Sequence, residues 1–176
     1  MKITALQEYG MRCLMQLAEQ GDTVPVRIRS IAKNEGLSAD YVEKILTHLR
    51  RAGLVKSVRG LNGGYVLSKS PSQISIGDAI NFLSEKPVQM RRLKKDLCGQ
   101  FPGNRTECVH MRGCTIRQIW TLVLVRVFGS LNKIYLSDLL GNEAEVQNRL
   151  KKFLLESGTA EKIEVGALEI AARQVI

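Results

Sequence analysis

The 176-residue sequence has little of several things on which common protein chemistries depend. It holds two histidines, His48 and His110, and no nucleophile, base and orienting group can be named around either, which argues against an enzyme. Four prolines, with 24% charged and 44% hydrophobic residues, exclude wholesale disorder. The length is enough for a real core without disulfide staples. The opening stretch, MKITALQEYGMRCLMQLAEQ, lacks the apolar core and small-residue cleavage site of a signal peptide. A cytoplasmic chain with reduced cysteines is therefore expected. The most apolar run, residues 119–128, is too short for a bilayer and is interrupted by Arg126, so no membrane partner is expected. The glycine-rich stretch RGLNGGY lacks a Gly-Lys-Ser/Thr ending and runs into a strand, which excludes a nucleotide phosphate loop.

Charge is abundant and uneven. The net charge is +9. Residues 1–70 carry eleven Lys and Arg against six acids, residues 86–117 carry eight against two, and residues 118–176 balance at seven each. Localised positive charge points to a polyanion, although charge alone also describes a solvated basic surface.

Helical periodicity organises the basic N-terminal half. In TALQEYGMRCLMQLAEQG, Leu6, Gly10, Cys13, Leu14 and Leu17 form one stripe, with Gly21 as the stop. Cys13 on that stripe reads as a small buried hydrophobe, and Glu8 falls on another face. Ile28, Ile31 and Ala32 mark a second helix, ended by Gly36 in a left-handed turn. Ser38 caps a third helix whose core stripe is Val42, Ile45, Leu46 and Leu49. Its opposite face, Ser38, Asp40, Glu43, Lys44, Thr47 and Arg50, is wholly polar. Two short helices joined by a tight glycine turn form a helix-turn-helix. LVKSV and YVLS then flank RGLNGG as two short strands around a loop tolerant of positive φ, which is a wing. Arg59 at its tip has the length and planar fork to enter a minor groove. This order, with the basic balance, predicts a winged helix-turn-helix and makes double-stranded DNA the expected polyanion.

The remaining cysteines cluster in CGQFPGNRTECVHMRGC, with spacing C-x9-C-x5-C at Cys98, Cys108 and Cys114. That is neither a Cys-x2-Cys zinc knuckle nor a ferredoxin run. The basic approach Arg91, Arg92, Lys94 and Lys95 suits anionic sulfur, as does a place for Cys114 at the start of a helix. Three exposed thiols on a loop suggest metal, with zinc and His110 as one option and three unrelated surface cysteines as the bland one. TIRQIWTLVLVRVFGSLNKI then reads as a long helix, apolar nearly all round through Ile119, Trp120, Leu122, Val123, Leu124, Val125, Val127 and Phe128. A small wing domain cannot cover it. A homodimer is expected, with this helix packed on its symmetry mate and on the other subunit's first helix.

Three stretches carry a more specific likeness: MKITALQEYGMRCLMQLAEQ, SIAKNEGLSADYVEKILTHLRRAGLVKSVRG and GGYVLSKSPSQISIGDAI. Over residues 1–140 the chain resembles the IscR/NsrR/RirA-type winged-helix regulators of the Rrf-two family. The resemblance implies a dimeric transcription regulator reading a two-fold operator. Its iron-sulfur cluster, 4Fe–4S in preference to 2Fe–2S, would sense redox state, nitric oxide or iron supply. The cluster ligands implied are Cys98, Cys108 and Cys114. One branch of the family supplies a histidine three residues after the third cysteine, but Arg117 stands there. Another supplies a carboxylate from the first helix of the opposite subunit, and the matching residue is Glu8. The wing reads RGLNGGY where a proline and a further glycine are usual, while Gly60, Gly63 and Gly64 remain for the bend. The first cysteine gap is also longer than usual.

The expectation is thus a mainly α chain. Residues 1–85 form a winged helix-turn-helix with a small β-hairpin, 86–113 a cysteine loop, 114–140 a dimerisation helix, and 141–176 an extension marked by Val146, Leu150, Phe153 and Leu154. DNA contacts are expected from Ser38, Tyr41, Glu43, Lys44 and Arg50 on the reading helix and from Arg59, Gly60, Asn62 and Gly63 in the wing. The competing readings are a zinc-stabilised or thiol-based DNA-binding regulator without a cluster, and an iron-sulfur electron carrier.

Overall fold

A computed structural model describes residues 3–21, 23–84, 106, 108–110 and 113–156. The chain divides into two compact units, Met1–Leu140 and Gly141–Ile176.

The first helix, α1 (Ala5–Glu19), begins at a capping box: the Thr4 hydroxyl accepts from the Gln7 N–H, and the Gln7 side chain accepts from the Thr4 N–H. Gln7 also reaches out of its helix, its Nε2 donating to the Ile80 carbonyl at 3.2 Å and to Ser84 Oγ at 2.9 Å. One side chain therefore starts α1 and ties it to the segment beyond the wing. The buried stripe is Gly10, Cys13, Leu14, Leu17 and Ala18. Burial and the nearby Glu35 carboxylate push the Cys13 thiol up to about 12, so it is a neutral, inert part of the core.

Helix α2 (Ile28–Glu35) ends at Gly36, left-handed at φ 66°, and Ser38 caps α3 (Ala39–Arg51) through the Tyr41 N–H. Val42, Ile45, Leu46 and Leu49 are completely buried. Each such side chain stabilises the fold by roughly 1.5–3 kcal/mol. The strands β1 (Val55–Val58) and β2 (Gly64–Leu67) pair antiparallel, with Val55 opposite Leu67 and Val58 opposite Gly64. Val26, just ahead of α2, adds a bridge to Tyr65.

Helix α4 (Ile76–Phe82) is capped by Ser75, and α5 (Thr115–Leu131) by Cys114. The exit of α5 is stitched to the entry of α4. Ile76 N–H donates to the Ile134 carbonyl, Leu136 N–H donates to the Ile74 carbonyl, and Leu136 is fully buried. Gly77 leaves room for the Asn132 side chain, which a Cβ would displace. In the second unit, α6 (Glu143–Glu156) starts at a reciprocal pair, Glu145 N–H to Asn142 Oδ1 and Asn142 N–H to Glu145 Oε2.

Gly10 is where α1 and α4 meet, since a Cβ there would lie 2.5 and 2.7 Å from the two terminal methyls of Leu83, itself 1% exposed. Gly10→Ala should therefore destabilise the protein by about 1–3 kcal/mol, read as a lower urea midpoint.

Candidate nucleic-acid interface and cysteine site

The DNA-facing candidates lie on one helix and one hairpin. On α3, Ser38, Asp40, Glu43, Lys44 and Arg50 are exposed, and Ser38 also serves as the cap. Tyr41 differs from them. Its ring is half-buried against the core and meets Tyr9 edge-on, centroids 5.9 Å apart, so it joins the reading helix to α1. In the wing, Arg59, Gly60 and Asn62 are exposed and Gly63 is half-buried. Gly60 adopts φ 114°, a conformation that glycine tolerates and other residues rarely do. A Cβ on Gly63 would meet the Val58 carbonyl oxygen at 2.5 Å.

Two wing features are not visible in periodicity or motif. A Cβ on Gly64 would lie 2.5 Å from the Val26 carbonyl oxygen, because β2 runs directly against the strand-like entry to α2. The Arg27 guanidinium also donates to the Leu61 carbonyl at 3.0 Å.

At the cysteine site, Cys114 occupies the helix cap it was expected to have. Its Sγ accepts from the Arg117 N–H at 3.4 Å, with the positive end of the α5 dipole behind it. Cys108 is half-buried, and Cys13, Cys108 and Cys114 are free thiols. Cys98 lies outside the described residues. Among the described residues no group of three His, Cys, Asp or Glu side chains converges as a metal site. His110 is exposed beside Cys108.

Glu8 is on the exposed face of α1, as the stripe requires. Its carboxylate is already engaged, with Oε1 at 2.7 Å from the Arg12 guanidinium one turn on. Arg12 also lies 3.8 Å from Glu35 and stacks over the Tyr9 ring at 5.7 Å. The Glu8 hydrogen bond and charge hold the Arg12 guanidinium's affinity for its proton above its ordinary value.

The long helix is uncovered over most of its length. Ile116, Ile119, Trp120, Leu122, Val123 and Val125 are each between 43% and 64% exposed, and only Phe128 on this helix is buried. Among the described residues no helix is long and apolar enough to cross a membrane.

Comparison with known proteins agrees with this arrangement. The profile of the Rrf2 family, described as an iron-dependent transcriptional regulator, matches residues 3–142. The protein rrf2 of Nitratidesulfovibrio vulgaris is 33% identical over 140 residues, covering 80% of this chain and 87% of that protein. The HTH-type transcriptional regulator IscR of Klebsiella pneumoniae is 32% identical over 143 residues, covering 81% and 82% respectively. Among solved structures, CymR, the global cysteine regulator of B. subtilis, matches with a TM-score of 0.60 and 32% identity over 79% of this chain and 95% of that one. IscR of T. potens matches with a TM-score of 0.58 and 31% identity over 80% and 86%. With its helix-turn-helix, its wing and these relatives, the chain belongs to the Rrf2 family and is a DNA-binding transcription regulator rather than an enzyme.

Proposed function

We propose that this regulator is a cytoplasmic homodimer whose affinity for DNA is gated by an iron-sulfur cluster held by Cys98, Cys108 and Cys114 together with Glu8 of the partner subunit. The observation that carries this reading is the donor chemistry around α5. Cys114 is a free thiol at a helix start whose Arg117 N–H is directed at its sulfur, the kind of hydrogen bond that tunes thiolate-bound iron, and Cys108, six positions earlier, is a second free thiol. When bound, the cluster supplies a redox-labile cross-link, 4Fe–4S being the preferred type. Everything else is done by the chain. Cys114, as the cap of α5, would join the cluster to that helix. Glu8 contacts Arg12 through Oε1 alone, so Oε2 would be the oxygen offered to iron, and Arg12 also has Glu35 and the Tyr9 face as neighbours. Because a carboxylate is a harder, weaker partner for iron than a thiolate, that corner would be the first to open. Opening would free α1 from the other subunit and change the spacing of the two reading heads.

Dimerisation is supported by the uncovered apolar face of α5. Exposed apolar patches of this kind mark association surfaces. Two-fold symmetry then sets two half-sites about one helical turn apart. Each would be read by Ser38, Glu43, Lys44 and Arg50 on α3, with Arg59, Gly60, Asn62 and Gly63 placing the wing along the adjacent minor groove. A thiol-based regulator without a cluster is the second reading. Its specific support is the likeness to CymR, including an oxidized form of the Staphylococcus aureus protein at 29% identity and a TM-score of 0.55.

Three measurements test these points. Anaerobically purified protein should be brown with broad visible absorption. Cys114→Ala should be colourless, and Glu8→Ala should alter the spectrum and lose colour faster at unchanged thermal stability. Colourless wild-type protein with stoichiometric zinc would favour a zinc-stabilised regulator, and a normal, stable cluster in Glu8→Ala would remove that ligand. Trp120→Glu should convert the dimer to monomer in light scattering at micromolar concentration, and a wild-type monomer there would sink the dimer. On a short duplex enriched from a random-sequence pool by the full chain, Arg59→Ala should lose roughly 1–3 kcal/mol of binding and lower the salt slope by about 1. Unchanged affinity and slope would exclude the wing from the interface.

A further inference from the structure

Arg27 is the flanking residue at the start of α2, extended at φ −77° and ψ 143°, and its side chain does not cap the helix. The guanidinium is turned instead to the wing. Its Nη2 donates to the Leu61 carbonyl oxygen at 3.0 Å and lies 3.4 Å from Asn62 Oδ1, a longer second contact. The residue before it, Val26, exchanges two backbone hydrogen bonds with Tyr65, each 2.9 Å. The wing is therefore held to the entry of the helix-turn-helix at two places, on β2 by backbone at Tyr65 and at its tip by Arg27.

The tip has reason to need an outside tether. Residues 60–63 make a four-residue turn closed by the Gly63 N–H on the Gly60 carbonyl at 2.9 Å. Its ends are glycines, one of them at φ 114°. Its first central position, where proline presets φ in many turns, is Leu61. That leucine is 96% exposed, so its side chain packs on nothing that would restrain the backbone. A turn with glycine at both ends and no proline keeps much of its conformational freedom unless something external removes it. Both contacts come from Nη2, whose two hydrogens can be directed at the carbonyl and at the neighbouring amide oxygen.

We infer that Arg27 is a positioning residue for DNA recognition: by holding Leu61 and Asn62 it sets the direction in which the wing presents Arg59. The inference rests on the wing reading proposed above. Arg27 then acts through Arg59 and not as a phosphate contact of its own, and the Leu-Asn pair at the tip is the half of the device that lies in the wing.

A double-variant cycle with an exchange measurement on the free full-length protein tests it. On the same enriched duplex, Arg27→Ala should bind about tenfold more weakly, the scale of a lost hydrogen bond to a charged group. In the Arg59→Ala background it should cost less than about twofold, because neighbouring residues acting as one unit do not add. Without DNA, Arg27→Ala should speed exchange of the Gly63 amide, followed by NMR, at an unchanged melting temperature. An equal loss in both backgrounds would make Arg27 a separate DNA contact and overturn the inference, and so would unchanged Gly63 exchange. If Arg59→Ala alone left binding intact, the wing reading would fail by itself, and Gly63 exchange would still decide for or against the tether.

Discussion

The two backbone hydrogen bonds between Val26 and Tyr65 are the constraint on which the placement of the wing beside the helix-turn-helix depends. A two-stranded hairpin is marginal by itself in water. Here the pair Val55–Val58 and Gly64–Leu67 gains a third extended residue from the entry to α2, and with it a fixed place beside the helix-turn-helix. The approach is close enough that position 64 has no space for a side chain. Val66 and Leu67, successive and so on opposite faces of the hairpin, are both buried, and Leu67 joins the core. The reading helix is fastened separately, through its four-residue core stripe and through Tyr41 against Tyr9. Helix and wing thus share one foundation, α1 and the start of α2, and a displacement of either would be felt by both.

The long helix is anchored at one end only. Phe128 is buried, Leu131 and Ile134 are packed against the core, and Leu136 lies in the core itself. The preceding turns expose their apolar side chains. Cys114 is at that uncovered end, as the cap of the helix. The helix thus runs as a rod from a thiol at its exposed end to the residues that support α4 and α1. Gln7 closes the circuit, since it caps α1 and holds Ile80 and Ser84 at the same time.

Electrostatics on α1 adds a second layer. Glu8 and Arg12 neutralise each other on the exposed face, and Arg12 is further supported by Glu35 and the Tyr9 ring. A carboxylate in an exposed pair of this sort is held by little net free energy, since solvent and salt screen surface ion pairs. It can be exchanged for another partner at small cost. Cys13, by contrast, shares the helix but is shut off from chemistry by its burial.

Much was legible from the residues alone. Periodicity placed the buried side chains of α1 and α3, because a helix that covers a core must repeat its apolar residues near every 3.6 positions. Gly36, Ser38 and Cys114 marked helix ends, because capping is local chemistry. The basic N-terminal half and the hairpin after the third helix pointed to DNA, as the Rrf2 family membership bears out. What the order of residues did not reveal was which distant groups meet. Arg27 and Leu61 are thirty-four positions apart, Gln7 and Ser84 seventy-seven, and Arg12 meets Glu35 from another helix. Periodicity and capping are written within one or two turns of chain. Contacts across the fold depend on how helices and hairpin pack, and only the tertiary structure decided them.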